Sequence, residues 1–241
     1  MLYRARVLKR ELVGQHALLR YEWDGPAPEP GQFVGAKATS AQDPFLPRPF
    51  FVHERDEAGI SLLFKVRGRG TRALAAVDDH LLVSAPRGRG FDLGSRGPAA
   101  LLGGGVWVAP LRFLSRRLRE LGVEHEVFLE SPPGAPEAYL RWLEEAYPGA
   151  QLVATDGSAG ALVGALGGLG GYGTVYASGD RATLRSVRSV RDDAQLAVRE
   201  RMACMDGSCY GCVVPTYGEG GVAYRRSCVE GPVFAARDLA W

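Results

Sequence analysis

The chain of 241 residues is 46% hydrophobic and 23% charged, the balance of a globular protein long enough for one large or two small domains plus an appendage. Its net charge of +2 makes no electrostatic case for nucleic acid or an anionic membrane surface, and no apolar run approaches the ~18 to 20 residues of a membrane span. No secretory leader is read at the start, so the reducing cytoplasm is the expected compartment.

The first 95 residues read as β. Tyr3 to Leu8 and His16 to Trp23 are short runs rich in apolar, β-branched and aromatic residues, parted at Gly14. Pro26, Pro28, Pro30 and Gly31 interrupt before Gln32-Phe33-Val34, and Ile60 to Val66 and Leu81 to Ser84 are further strands. Short strands at this spacing predict a barrel or sandwich. Two stretches here look chemical. In Pro47-Arg48-Pro49-Phe50-Phe51 an arginine between stiff prolines is set up as a fork for phosphate, or else marks a surface turn. Gly68-Arg69-Gly70-Thr71 follows a strand and precedes a helix start at Arg72, so it offers N–H groups and a hydroxyl to a phosphate, or else closes a hairpin.

Composition shifts near Gly94 to Pro98, taken as a boundary, and β then alternates with α. Ala99 to Leu102 is a strand running into Gly103-Gly104-Gly105, and Pro110 opens a helix whose Leu111, Leu114, Leu118 and Leu121 share a face closed by Gly122. Strands follow at Val123 to Leu129, Gln151 to Ala154, Thr174 to Ala177 and Gln195 to Val198, with helices at Pro136 to Ala146, within Ala159 to Leu169, and at Arg181 to Val190. Such alternation makes a parallel sheet covered on both faces. Its strand, glycine turn and helix at 99 to 118 form the natural dinucleotide site, with Glu130 placed for a ribose hydroxyl; the plain alternative is a tight turn and a solvated strand end. The four histidines are scattered and read as structural or surface residues, and no G-x-S-x-G or H-E-x-x-H stretch points to hydrolysis.

All four cysteines fall late in the chain, at Cys204, Cys209, Cys212 and Cys228. The spacing C-x4-C-x2-C with a distant fourth is the order that holds a [2Fe-2S] cluster through four thiolates, and Gly207, Ser208 and Gly211 suit a loop that curls around it. Structural zinc more often uses two short C-x2-C knuckles and is the main alternative; disulfides are a weaker one.

A barrel with Arg-Pro and Gly-Thr, then a glycine-rich α/β segment, then this tail resembles the ferredoxin reductase superfamily. The tail is the most particular part. Glu200-x-Met202-Ala203-Cys204, Gly207-x-Cys209-x-Gly211-Cys212 and Cys228-Val229-Glu230-Gly231-Pro232 resemble the electron-transfer subunits of bacterial dihydroorotate dehydrogenase, and the likeness runs nearly the whole chain. It implies an FAD-binding barrel over 1–95, an NAD-binding-like α/β domain over 96–193 and a [2Fe-2S] module over 194–241. It implies FAD against Arg48, Pro49, Phe50 and Phe51, against Leu63, Phe64 and Lys65, and at the Gly70-Thr71 turn. Gly103, Gly104 and Gly105 become the nucleotide turn, and Cys204, Cys209, Cys212 and Cys228 the cluster ligands. The implied partner is an FMN-containing catalytic subunit that oxidises dihydroorotate, in a heterotetramer that passes electrons through cluster and FAD to NAD+ or another acceptor in pyrimidine biosynthesis. A reductase subunit of a hydrogenase or sulfur-reducing complex is the alternative, followed by a non-redox protein with a zinc knot.

Three positions depart from the family pattern. Phe51 stands where a Ser or Thr is usual, Trp107 where the glycine turn usually ends in Gly, and Ser178-Gly179-Asp180 where relatives have Cys-Gly-Pro. A bulky indole in a turn that needs close backbone approach, and an added carboxylate near a diphosphate, are both expected to oppose NAD.

Overall fold

The structure, a computed structural model, describes residues 1–38, 43–94, 96–158 and 160–241. Strands β1 (Tyr3–Val13), β2 (His16–Glu22), β3 (Phe33–Lys37), β4 (Arg48–Arg55), β5 (Gly59–Lys65) and β6 (His80–Val83) close into an antiparallel barrel in the order β1-β2-β5-β4-β3-β6. Alternation drives closure. On β2, Ala17, Leu19 and Tyr21 point inward and are fully buried, joined by Val52 of β4 and Ile60, Leu62 and Phe64 of β5. The short helix α1 (Arg69–Ala75) lays Leu74 and Ala75 on this core.

β3 is buried along its whole length. Val34 and Ala36 face the barrel core, whereas Phe33 packs with Met205, Cys212 and Cys228. A Cβ on Gly35 would stand 2.8 Å from the Met205 sulfur, so glycine lets the cysteine loop press on the barrel wall.

The second layer is a six-stranded sheet of order β14-β11-β10-β7-β8-β9, built from β7 (Ala99–Gly104), β8 (His125–Ser131), β9 (Gln151–Ala154), β10 (Thr174–Ser178), β11 (Gln195–Ala197) and β14 (Val233–Ala235). Every pairing is parallel except β11 with β14, so the sheet is mixed at that edge. Helices α2 (Ala109–Glu120) and α3 (Glu137–Ala146) cover one face, and α4 (Ala161–Ala165) and α5 (Arg181–Val190) the other. β7 shows why: Leu101 packs with Leu111, Leu114 and Leu118 of α2, while Ala100 and Leu102 pack with Leu162, Leu184 and Val187. Near the C-terminus, β12 (Val213–Gly218) and β13 (Gly221–Arg226) form a separate hairpin. Both β11 and β14 come from the cysteine-bearing third of the chain, and they tie it into the sheet.

Several elements differ from the sequence reading. The proline-flanked Arg48 segment is not an isolated turn but the start of β4, with Pro49 opposite Gly35. The missing proline donor is tolerated because the Ser84 N–H donates to the Gly35 carbonyl at 2.9 Å. Gly68 to Thr71 is the entry to α1, which begins at Arg69 instead of Arg72. α4 falls within the expected stretch and ends ahead of Gly167 and Gly168, both left-handed; Ala159, the first residue of that stretch, lies outside the described residues. So does Ser95, the expected end of the barrel segment. β12, β13 and β14 were not foreseen.

Candidate functional site

Between barrel and sheet lies a cavity of about 370 Å³. Its barrel wall is Pro49, Phe50 and Phe51 of β4 with Leu63, Phe64 and Lys65 of β5, and Thr71 closes one end. Across from these stand Gly105, Trp107, Arg199, Glu200 and Met202. A wider cleft of about 830 Å³ shares Pro49, Arg67, Trp107, Arg199, Glu200 and Met202 with the cavity and adds Arg48, Arg69 and Arg201. Arg48 and Gly70 meet there: a Cβ on Gly70 would stand 2.6 Å from Arg48 Nε. Thr71 Oγ1 accepts from the N–H groups of Arg67 and Gly68 at 3.0 and 2.9 Å, which fixes the turn beside that arginine.

An apolar slot opening on a cleft rich in arginine matches a flat aromatic ring system carrying a diphosphate, so these residues fit FAD. Most of the residues expected at the flavin line the slot, with Arg48 and Gly70 at its cationic mouth. Gly103 and Gly104 do not line it. His16, Arg67 and Arg199 do, and the sequence reading missed them, because nothing in their spacing connects them to the barrel motifs. His16 stacks on Tyr139 with ring centroids 4.7 Å apart, and burial, with Lys65 nearby, pushes its pKa down.

The glycine turn does three separate jobs. A Cβ on Gly103 would meet Leu111 Cδ1 at 2.7 Å, so this glycine sets how tightly α2 packs on β7. A Cβ on Gly104 would meet Glu130 Oε2 at 2.7 Å, which places the Glu130 carboxylate directly against the turn, held by Thr155 Oγ1 donating at 3.0 Å. Gly105 is left-handed, with φ of +52°, and a Cβ there would meet nothing within 4 Å. Asp180, expected to oppose a diphosphate, instead caps α5, accepting from the Thr183 N–H at 2.8 Å. Ser178 Oγ is buried at the end of β10 without a hydrogen-bond partner among the described residues.

In the cysteine loop, Met205, Gly207 and Tyr210 take left-handed conformations, the curl expected of a chain wrapping its own thiols. Backbone N–H groups already point at sulfur: Cys209 N–H at Cys204 Sγ and Gly211 N–H at Cys209 Sγ, each at 3.4 Å. Hydrogen bonding from the backbone at Cys204 and then Gly211 brings the exposed Cys209 thiol down to about 7, whereas burial and then the Cys212 thiol push Cys228 up to about 12. Arg226 braces the loop from β13, donating to the Gly207 carbonyl at 3.1 Å and pairing with Glu230. Among the described residues no group of three or more His, Cys, Asp or Glu side chains is closed to metal-ligating geometry, so three thiols share one loop and Cys228 follows the β12–β13 hairpin, without the four meeting at a point. Their chemistry still fits an iron-sulfur cluster: four thiols of mutual influence, small neighbours and N–H donors aimed at sulfur.

The two sites share a wall. Phe51 and Met202 line the cavity and also pack, with Phe33, against Met205, Cys212 and Cys228. Cavity and loop are therefore separated by side chains and not by solvent.

The iron-sulfur cluster binding domain of dihydroorotate dehydrogenase B matches residues 199–240, the stretch that carries all four cysteines. Over 98% of its length the chain is 31% identical to the dihydroorotate dehydrogenase B (NAD(+)) electron transfer subunit of Caldanaerobacter subterraneus subsp. tengcongensis, covering 97% of that protein. The subunit of the same name from Bacillus caldolyticus is 34% identical over 88% of the chain and 86% of its own length. Among solved structures, an NADH-dependent reduced ferredoxin-NADP oxidoreductase superposes with a TM-score of 0.76 at 22% identity, over 98% of this chain and 90% of that one. The ferredoxin reductase of carbazole 1,9a-dioxygenase gives 0.64 at 21% identity, over 81% and 68%. Family and fold together imply a capacity for FAD and for an iron-sulfur cluster, and a catalytic dihydroorotate dehydrogenase B subunit as partner. With a likeness that runs nearly the full length added to a cysteine loop packed against the cavity wall, the chain belongs to the dihydroorotate dehydrogenase B electron-transfer subunits and works as the electron-transfer part of an oxidoreductase.

Proposed function

We propose that the chain holds FAD in the cavity and a [2Fe-2S] cluster on Cys204, Cys209, Cys212 and Cys228. It pairs, in a cytoplasmic heterotetramer, with an FMN-containing subunit that oxidises dihydroorotate. When bound, the cluster exchanges single electrons and FAD exchanges one or two, which joins a partner flavin to a two-electron acceptor. The residues do the rest. Arg48 and the Gly70-Thr71 turn offset the diphosphate charge. Phe50, Phe51, Leu63 and Phe64 exclude water from the ring, with Pro49 and Lys65 at its edges. Phe51 gives apolar contact where a hydroxyl is usual, so orientation rests on packing. The shared wall of Phe33, Phe51 and Met202 supports this reading best, because it sets a dry, short route between the two sites.

Tyr210 in the cysteine loop and Tyr217, Val222 and Tyr224 on the hairpin that joins Cys212 to Cys228 are all more than half exposed. Apolar and aromatic surface of this kind beside the cluster suits the docking of the catalytic partner. Functionally the chain divides into units at 1–95, 96–193 and 194–241. NAD+, which the relatives carry in their names, is the acceptor proposed for the Gly103 to Gly105 turn and Glu130, held more weakly than FAD. No described helix is long and apolar enough to cross a membrane.

Copurification with spectroscopy tests the reading. The isolated chain is expected to show flavin and [2Fe-2S] absorption without oxidising dihydroorotate, and the complex to do both. One zinc with no iron, or dihydroorotate turnover by the isolated chain, overturns it.

A further inference from the structure

We infer that the Trp107 indole, clamped by Arg199, is the specificity-determining gate over the flavin cavity: it obstructs the nicotinamide end of a dinucleotide while leaving the dinucleotide turn itself open. This rests on the reading that the cavity holds FAD. Trp107 lies in the single helical turn Gly105–Val108 that leads from β7 into α2. From sequence alone its bulk counts against the turn, but the structure sends the indole elsewhere. A Cβ on Gly105 would meet nothing within 4 Å, so the outer face of the turn is clear. The indole instead lines both the cavity and the cationic cleft beside it.

Arg199 holds it there. Its guanidinium stands 5.4 Å over the indole ring. Desolvation, and then Arg67, push the Arg199 pKa down, and no acidic group among the described residues counters them. The adjacent Glu200 is engaged with Arg181 at 2.7 Å. A partly desolvated cation without a carboxylate gains most from an aromatic face, so the stack is the arginine's main compensation. The backbone beneath the indole is also fixed. Tyr139 Oη donates to the Gly105 carbonyl and Tyr147 Oη to the Val108 carbonyl, each at 2.7 Å. With both ends of the turn tied, the gate is a side-chain rotation and not a loop movement.

The consequence is a divided dinucleotide site. Adenosine and diphosphate have the open turn and Glu130, but the nicotinamide needs the volume that the indole fills. Opening means breaking the Arg199 stack, a cost that lowers affinity for the whole dinucleotide and spares its ADP-ribose part.

Titration of the oxidised, flavin-loaded chain with NAD+ and with ADP-ribose tests this, in wild type, Trp107→Gly and Arg199→Met. NAD+ should bind about tenfold tighter to both variants, the scale of a desolvated cation-π contact, while ADP-ribose binds all three within about twofold. ADP-ribose binding also reports that the variants are folded. Flavin emission gives a second readout: it rises in Trp107→Gly, where the neighbouring indole no longer quenches it. If Arg199→Met leaves NAD+ affinity unchanged, the clamp is wrong. If ADP-ribose gains as much as NAD+, the indole blocks the turn and the gate is wrong. A chain that takes up no flavin defeats the cavity assignment itself, which flavin absorption shows before any titration.

Discussion

The cysteine loop and the cavity proposed for FAD meet at one wall but are specified in opposite ways. As proposed cluster ligands the four thiols would each be chemically irreplaceable, and they lie within residues 204–228, with left-handed backbone at 205, 207 and 210. The cavity draws on β4, β5, the entry to α1, the Gly105 turn and the segment ahead of the first cysteine, and most of its walls are apolar side chains that a neighbour can partly replace. A cluster site therefore fails at a single atom. A flavin site weakens by degrees.

That contrast orders the expected effects. Cys212→Ser should abolish [2Fe-2S] absorption and iron content while leaving flavin bound, as measured by iron analysis and the visible spectrum; retained iron would break the ligand assignment, and flavin lost in parallel would show that the sites are not separable. Arg48→Ala should only weaken FAD, by about ten- to a hundredfold, the loss of one charge-assisted hydrogen bond worth ~1.5–3 kcal/mol. Equilibrium dialysis of the variant against FAD measures it, and unchanged affinity would move the diphosphate to Arg67 or Arg69.

The smallest effect lies at the seam between barrel and sheet. His53 is buried there, its Nδ1 3.0 Å from the Ala109 carbonyl and its ring beside Trp142 and Tyr147. Burial drives its pKa down to about 4, and Arg112 adds to the shift. A histidine depressed on folding binds its proton more readily when unfolded, so its stabilisation is complete above the ordinary value of 6.5 and is lost as pH falls toward 4. About 1 kcal/mol should disappear between pH 7 and pH 5.5, read from urea midpoints. His53→Gln should flatten that slope, and an equal slope in both proteins would contradict the burial argument.

How much of this was legible follows the same division. The cysteine order and the α/β alternation could be read from the chain because their signals are local: fixed spacing and a repeated apolar face. Arg48, Gly70 and Thr71 were readable as a chemical pair of segments, but not that Arg48 begins a strand, since Pro49 hides β4 and its compensation, a donor for the Gly35 carbonyl, comes from the Ser84 N–H, 35 positions later. The hairpin β12–β13 was missed because Pro215 interrupts β12 and β13 is largely exposed with little alternation. His16 and Arg199 reach the cavity from opposite ends of the chain, and only tertiary folding brings them to one wall. Asp180 shows the reverse case: its charge was visible and its use as a helix cap was not.

On the proposed path, electrons cross the shared wall by way of the cysteine loop. The direct measurement is the rate at which this chain's flavin is reduced after dihydroorotate is mixed with the assembled complex, in wild type and in Cys212→Ser. In the variant, the partner flavin is expected still to be reduced while this chain's flavin stays oxidised. Reduction of both flavins at the wild-type rate without iron would contradict it.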